Sequence, residues 1–280
     1  MPKKTNGAVQ QPPCAVLVGD MNTGKTSLLN ALLRRELLAV SREDSRALPT
    51  VVARTDNREA SFAGLDGDGA HTALAQEEVS LVRRDRNNPG GLHALAARLP
   101  MVSFDRLLLL DTPGLATETT RTVDLKALDE RDRALLVVVT DIEYWSSKHN
   151  MDFIAQHHDH FGDALVVVAN KADHLNEDEV CRIVDKAPQR LEEYGIKPAP
   201  RFFALSARLE MARQAPFNEY RARTKRGVRD RCDAGFDALR VALYEFEARC
   251  APAPRALTFK QVFASPVVET VAARLGAARA

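Results

Sequence analysis

The stretch VLVGDMNTGKTSLLNALL, residues 16–33, constrains this chain more than any other. An apolar, β-branched burst runs through a polar loop into an amphipathic helix pattern. Gly19, Gly24, Lys25 and Thr26 fit G-x-x-x-x-G-K-[ST], the phosphate-binding loop, in the strand–loop–helix setting the motif requires. The glycines let backbone N–H groups turn toward an anion with no Cβ in the way. The helix that follows aims the positive end of its dipole at the same place. Gly19, Asp20, Met21, Asn22, Thr23, Gly24, Lys25, Thr26 and Ser27 are therefore the expected phosphate contacts. Lys25 is expected to bridge the two outer phosphates as a catalytic group, and the Thr26 hydroxyl to be a Mg²⁺ ligand.

A strand feeding a helix is the unit of an α/β fold, and the rest of the chain repeats it. Apolar bursts at Cys14–Val18, Leu107–Leu110, Ala134–Val139, Leu165–Ala169 and Phe202–Leu205 alternate with helical patterns, which predicts a mainly parallel sheet covered on both faces. Val51–Thr55 is a weaker candidate strand, read as an edge. Residues 57–100 hold Gly- and charge-rich turns (GLDGDGAH and RRDRNNPGGL) and read as a partly mobile insertion. Phe236, Leu239, Leu243 and Phe246 recur at three- and four-residue steps, a helix packed on the sheet. CAPAPR then breaks the pattern, and Ala256–Arg279 reads as a last helix interrupted near Pro266.

Bulk properties add exclusions. With 39 Lys and Arg against 38 Asp and Glu, the formal charge is +1, so no global attraction to a polyelectrolyte is implied. The apolar runs are far too short to span a bilayer, and MPKKTNGAVQQPP carries no hydrophobic signal segment. Four scattered cysteines without C-x-x-C read as reduced thiols. A cytoplasmic protein is the expectation, with peripheral attachment to a membrane left open.

Four further motifs fall at predicted strand ends, where ligands bind in open α/β sheets. LLLLDTPG sets Asp111 at a strand terminus, where its carboxylate can hold the hydration shell of Mg²⁺, and Gly114 where its N–H can meet a terminal phosphate. VVVANKAD supplies Asn170, Lys171 and Asp173. A carboxylate at position 173 can accept from the N1–H and the exocyclic amino group of guanine, a donor pair adenine lacks. Such a mismatch discriminates by a factor on the order of 10⁴. FFALSAR places Ser206 and Ala207 where a backbone N–H can meet guanine O6. LPTVVART supplies Thr50, or as second choice Thr55, as a threonine for Mg²⁺ and the outermost phosphate.

With five motifs in this order the chain resembles a GTPase of the translation-factor-like class over roughly residues 14–249. The resemblance implies binding of GTP and GDP and hydrolysis of GTP. Longer runs narrow it: LLNALLRREL…ALPTVVART, ALAARLPMVSFDRLLLLDTPGL, ALLVVVTDIEYWSSKHNMDFI and AGFDALRVAL resemble bacterial dynamin-like GTPases. The implied architecture is α/β: one P-loop GTPase domain with a mainly parallel sheet flanked by helices and a short helical C-terminal appendage. Residues 1–13 are then a flexible tail, 14–249 the GTPase domain, and 250–280 a linker and the appendage. The resemblance also implies a nucleotide-dependent homodimer, and membrane attachment or a larger helical partner.

Two departures matter. Leu115 stands where Ras-like proteins carry a water-orienting glutamine, and Met21 where dynamins carry a glutamine and guanylate-binding relatives an arginine. Asn22 resembles the asparagine that holds K⁺ against the phosphates in Era-like and tRNA-modifying GTPases, so K⁺ is an expected second cofactor and Asn22 an expected catalytic residue. With Lys25 and Thr50 it completes the catalytic set. Against this dynamin-like reading stand an Era-like regulatory or ribosome-associated switch, and a scaffold that binds nucleotide without turnover. Three features keep two readings each. His157, His158, Asp159 and His160 are a metal cluster or a solvated helix end. Arg221, Arg223, Lys225, Arg226, Arg229 and Arg231 are a lipid- or RNA-binding run or a solvated loop. Tyr144 and Trp145 are a dimer contact or ordinary packing.

Overall fold

The computed structural model describes residues 11–40, 48–84, 91–100, 102–114, 125, 133–215, 218–250 and 256–277. Leu115, and with it any part that residue plays, lies outside them. Among the described residues nine strands make one sheet: β1 (Cys14–Val18), β2 (Thr50–Arg54), β3 (Ser61–Asp66), β4 (His71–Leu74), β5 (Leu92–Leu99), β6 (Leu108–Asp111), β7 (Ala134–Asp141), β8 (Leu165–Asn170) and β9 (Arg201–Ala204). Their order is β4-β3-β5-β2-β6-β1-β7-β8-β9.

Half of this sheet follows directly from the apolar bursts. β6, β1, β7, β8 and β9 pair parallel throughout, and burial on both faces explains why they read as unbroken apolar runs. Alternate residues feed two cores. Val16 and Val18 face one layer with α3 (Lys148–Phe161), α4 (Glu177–Glu193) and the C-terminal helices. Ala15 and Leu17 face the other with α1 (Lys25–Leu33), α5 (Ala207–Arg213) and α7 (Arg226–Arg249). Phe236, Leu239, Leu243 and Phe246 of α7 are buried, as their spacing predicts.

The other half differs from the sequence reading. β2 is not an edge. It lies between β6, to which it is antiparallel, and β5, to which it is parallel. The 57–100 stretch, expected to be a partly mobile insertion, carries β3, β4, α2 (Gln76–Arg84) and β5, while positions 85–90 of its RRDRNNPGGL segment lie outside the described residues. The segment GLDGDGAH is a hairpin turn: the Asp66 carboxylate accepts from Asp68 N at 3.1 Å and Ala70 N at 2.8 Å, and Gly69 takes φ 80. β5 escaped notice because LHALAARL is alanine-rich, a poor strand signal. Its small side chains instead let helices pack close.

Those helices are α8 (Phe259–Phe263) and α9 (Pro266–Ala277), interrupted where proline was expected to interrupt them. Pro266 opens α9, where its missing N–H is harmless. Val262, Phe263, Val267, Val268 and Val271 are buried in the same core as Ala94 and Ala96 of β5, and the Arg98 guanidinium lies 5.2 Å from the Phe259 ring centroid. His157 and His158 are likewise buried rather than solvated. Their rings pair with the backbone oxygens of Phe153 at 2.9 Å and Pro198 at 2.8 Å. The basic run is not a loop either: it spans α6 (Glu219–Arg223) and the start of α7.

Because α8 is seated in the main core, Phe263→Ala should cost about 3 kcal/mol, as for other buried phenylalanines. Chemical denaturation should show one transition moved bodily to lower denaturant. A separate early transition with the main one unmoved would mean that the C-terminal helices fold independently of the sheet.

Candidate functional site

The five parallel strands all end on one edge, so the residues that follow them meet. Gly19 follows β1, Asp111 closes β6, Asp141 closes β7, Asn170 closes β8, and Ser206 lies just past β9. Antiparallel β2 brings its first residue to the same edge, with Thr50 in register with Asp111. Thr55 is five residues further along, about 17 Å away at strand rise. It accepts there from Arg98 Nη2 at 3.0 Å, which removes it from the site.

A cleft of about 630 Å³ opens on this edge. Met21, Asn22, Gly24, Lys25, Thr26, Ser27, Gly114, Asn170, Lys171, Asp173, Ser206 and Ala207, all expected site residues, line it. At its phosphate end Lys25 is buried and its Nζ donates to the oxygens of Gly19 at 2.9 Å and Asp20 at 2.7 Å. The loop's own carbonyls thus hold the ammonium in place. Asn22 has φ 61, a left-handed conformation that asparagine tolerates well, so this residue has a backbone reason beside any ligand role. Gly114 touches the loop: a Cβ on it would meet Met21 Cγ at 2.6 Å. Met21 therefore packs against the backbone after Asp111 and brings a thioether, not a charge, to this point.

The expected metal ligands are adjacent. Thr26 Oγ1 donates to Asp111 Oδ2 at 2.7 Å, and Thr112 Oγ1 secures the segment by donating to Leu17 O at 2.7 Å. A hydroxyl and a carboxylate at this spacing are hard oxygen donors suited to Mg²⁺. Thr50 is the exception. It is buried beside Asp111 with its hydroxyl donating to Leu48 O at 3.2 Å rather than to the carboxylate, and neither it nor Asp111 is among the residues lining the cleft.

The end expected to meet a base is bound to the end expected to meet phosphate by one side chain. Asn170 donates from Nδ2 to Thr23 O at 2.9 Å and accepts from Ala207 N at 3.0 Å, closing three loops on one another. Gly24 leaves room for it, since a Cβ there would come 2.3 Å from Nδ2. The Ala207 N–H is thereby committed to Asn170 rather than directed at a base, a difference from the sequence expectation. Ser206 caps α5, its Oγ accepting from Leu209 N at 3.1 Å. Lys171, at φ 65, reaches Asp141 Oδ2 at 2.7 Å. Asp173 Oδ2 accepts from the Tyr220 hydroxyl, while its Oδ1 is buried with no hydrogen-bond partner among the described residues. Burial first, and then this bond to Asp173, push the Tyr220 hydroxyl up to about 12, so it remains a proton donor at neutral pH.

Several participants were missed in the sequence. Tyr220, which reaches Asp173 without itself lining the cleft, was hidden among arginines, and Arg208 and His174 do line it. His149 at the start of α3 lies 3.0 Å from Asp20 Oδ1, a contact across 129 residues. The basic run is largely neutralised within the fold. Arg221 forks onto Asp233, Arg223 meets Glu219 at 3.1 Å, Arg226 meets Asp230 at 3.5 Å and Arg231 meets Glu177 at 3.9 Å.

The sequence profile of the dynamin family matches residues 15–172, more than half of the chain. The chain belongs to the dynamin family. The matched stretch takes in the phosphate loop, Asp111 and Asn170, and the family is one of GTPases that generally use Mg²⁺. Two solved structures of an oligomerised bacterial dynamin pair, described as sensing and tethering membranes over long range, share the fold. One is 18% identical with a TM-score of 0.56, and the other 16% identical with a TM-score of 0.59. Each covers 86% of this chain, while this chain spans only 40% of theirs. No curated protein matches the sequence significantly. Among the described residues no helix is long and apolar enough to cross a membrane, and no cluster of His, Cys, Asp or Glu could hold a metal ion by itself.

Replacing Lys25 with alanine should lower turnover at least about 100-fold, the scale of losing one aligned donor, and weaken GTP binding more than GDP binding. Thr26→Ala should make GTP binding nearly indifferent to Mg²⁺. Titration calorimetry with and without Mg²⁺ reads both effects, and unchanged turnover in Lys25→Ala would place the chemistry elsewhere.

Proposed function

We propose that this chain binds GTP·Mg²⁺ along the cleft, hydrolyses the β–γ bond by in-line attack of water, and works as a nucleotide-dependent homodimer at a membrane surface. The observation that carries this reading is the Asn170 clamp: one side chain joins the phosphate loop to the base-reading loops. A nucleotide is the ligand that needs both ends at once. Its base would meet Asp173, its outer phosphates Lys25 and the N–H of Gly114. Mg²⁺ held by Thr26 and Asp111 would neutralise charge on the phosphate oxygens. Thr50 is the further candidate ligand, which requires its hydroxyl to leave Leu48 O. The placement in the translation-factor-like class rests on the order of the five motifs.

Catalysis in this reading is positioning and charge neutralisation. Met21 packs on Gly114 and offers neither proton nor charge, and Leu115 has no polar group to orient water. The missing positive charge is assigned to K⁺ held by the Asn22 amide, in a site completed by the facing protomer. Exposed apolar groups on the nucleotide edge support such a face: Val40, on the cleft wall, is 58% exposed, and Tyr144, just after β7, is 65% exposed. Trp145, by contrast, is buried against Phe202 and belongs to ordinary packing. Membrane attachment is supported by family membership and by what the two bacterial dynamins do. RNA is disfavoured, because the basic run that would bind it is largely ion-paired within the fold.

Turnover at constant ionic strength should be higher in KCl than in NaCl or LiCl and should rise with protein concentration. An arginine finger contributes roughly 10³ to 10⁵ in rate, so a cation in its place should be conspicuous. Asn22→Gly keeps the left-handed backbone, removes the amide, and should abolish the cation dependence. Rates flat across the salts and across protein concentration would overturn both the K⁺ and the dimer assignments.

A further inference from the structure

We infer that Tyr220 is a specificity-determining residue that takes over half of the base-reading carboxylate, so that the cleft selects 6-oxopurine nucleotides in general rather than guanine alone. The inference rests on the reading of Asp173 as the residue that faces the base.

Guanine offers a carboxylate two donors, the ring N1–H and the exocyclic amino group. Hypoxanthine offers N1–H only, and adenine offers a bare N1 lone pair. A carboxylate with both oxygens unmet rejects hypoxanthine steeply, because the missing amino group leaves a buried oxygen unpaired. In this chain that oxygen is already supplied. The Tyr220 hydroxyl donates to Asp173 Oδ2, whereas Oδ1 is the buried oxygen with no partner among the described residues. One donor from the ligand then satisfies the pair, and the N1–H common to guanine and hypoxanthine is that donor. Adenine still fails, since its N1 would oppose a carboxylate oxygen.

Tyr220 is a fixture rather than a passing contact. It sits in α6, whose start is capped by Asn218 accepting from Arg221 N at 3.2 Å. Arg221 ties α6 to α7 through its fork on Asp233 and to α5 through Leu209 O at 3.3 Å. The guanidinium of Arg208, itself on the cleft wall, lies 3.5 Å from the Tyr220 ring centroid. Held from three sides, the hydroxyl cannot swing aside cheaply when a base arrives. It therefore shares Asp173 with the ligand, which a carboxylate oxygen with two lone pairs allows.

The test is equilibrium binding of GDP, IDP and ADP with Mg²⁺ to the full chain and to Tyr220→Phe, which keeps the ring under Arg208. In the wild type IDP should bind within about threefold of GDP, and ADP at least about 100-fold more weakly. In Tyr220→Phe the IDP-to-GDP ratio of dissociation constants should grow about tenfold or more, the scale of one hydrogen bond to a charged group. A purely structural role would weaken all three nucleotides together and leave that ratio alone. A wild type that already rejects IDP more than about tenfold, or a ratio unmoved by Tyr220→Phe, overturns the inference while leaving Asp173 as the base reader. ADP binding as tightly as GDP overturns the base-reading assignment itself.

Discussion

The double hydrogen bond of Asn170 is the interaction on which the site depends. A phosphate loop by itself binds many anions, and a base-reading loop by itself is a surface turn. Donation to Thr23 O and acceptance from Ala207 N make the two a single cleft at a fixed separation. The bonds lie in a buried setting, where losing one partner leaves the other unsatisfied at a cost of about 1–3 kcal/mol. Gly24 is required on the same account, since any side chain there would strike the amide. The strand edge beneath makes the clamp reachable: β1 and β8 flank β7 in parallel, so Gly19 and Asn170 emerge on the same side.

The antiparallel half of the sheet serves a different end. By reversing direction between β6 and β5, β2 delivers its first residue to the catalytic edge and its last to the far side. This geometry separates Thr50 from Thr55, which sequence spacing alone could not do. It also builds the platform β3–β5 on which α8 and α9 rest. The alanines of β5 and the valines of α9 form one core there, so the C-terminal helices extend the layer of helices on that face.

The residues whose identity the ligand chemistry dictates were legible in the sequence. The fold brings Gly19, Lys25, Thr26, Asp111, Gly114, Asn170 and Asp173, each expected from the chemistry of phosphate, metal or base, to one edge of the sheet, at strand ends, in the loops after them and at the start of α1. What escaped notice is what tertiary packing decides. β5 is written in alanine, which signals no strand, and the GLDGDGAH glycines read as a turn without revealing the two strands it joins. Tyr220 meets Asp173 across 47 residues and His149 meets Asp20 across 129, contacts with no local trace. The buried state of His157 and His158 was equally invisible, because it depends on the neighbouring backbone at Pro198 and on the helix's own Phe153 oxygen. The basic run misled for the converse reason: its acidic partners, Asp233 and Glu177 among them, come from other turns and other helices.

Met21 and Leu115 bring no charge and no water-orienting group to the positions where the proposed chemistry would use one. In the proposed reading, three distant stretches of chain act as one nucleotide site. Amide hydrogen exchange with and without GDP·Mg²⁺ tests it most directly. Protection should rise together at residues 19–26, 170–174 and 204–208, with the same dependence on nucleotide concentration. Protection confined to 19–26, with the two base-side stretches unchanged, would contradict it.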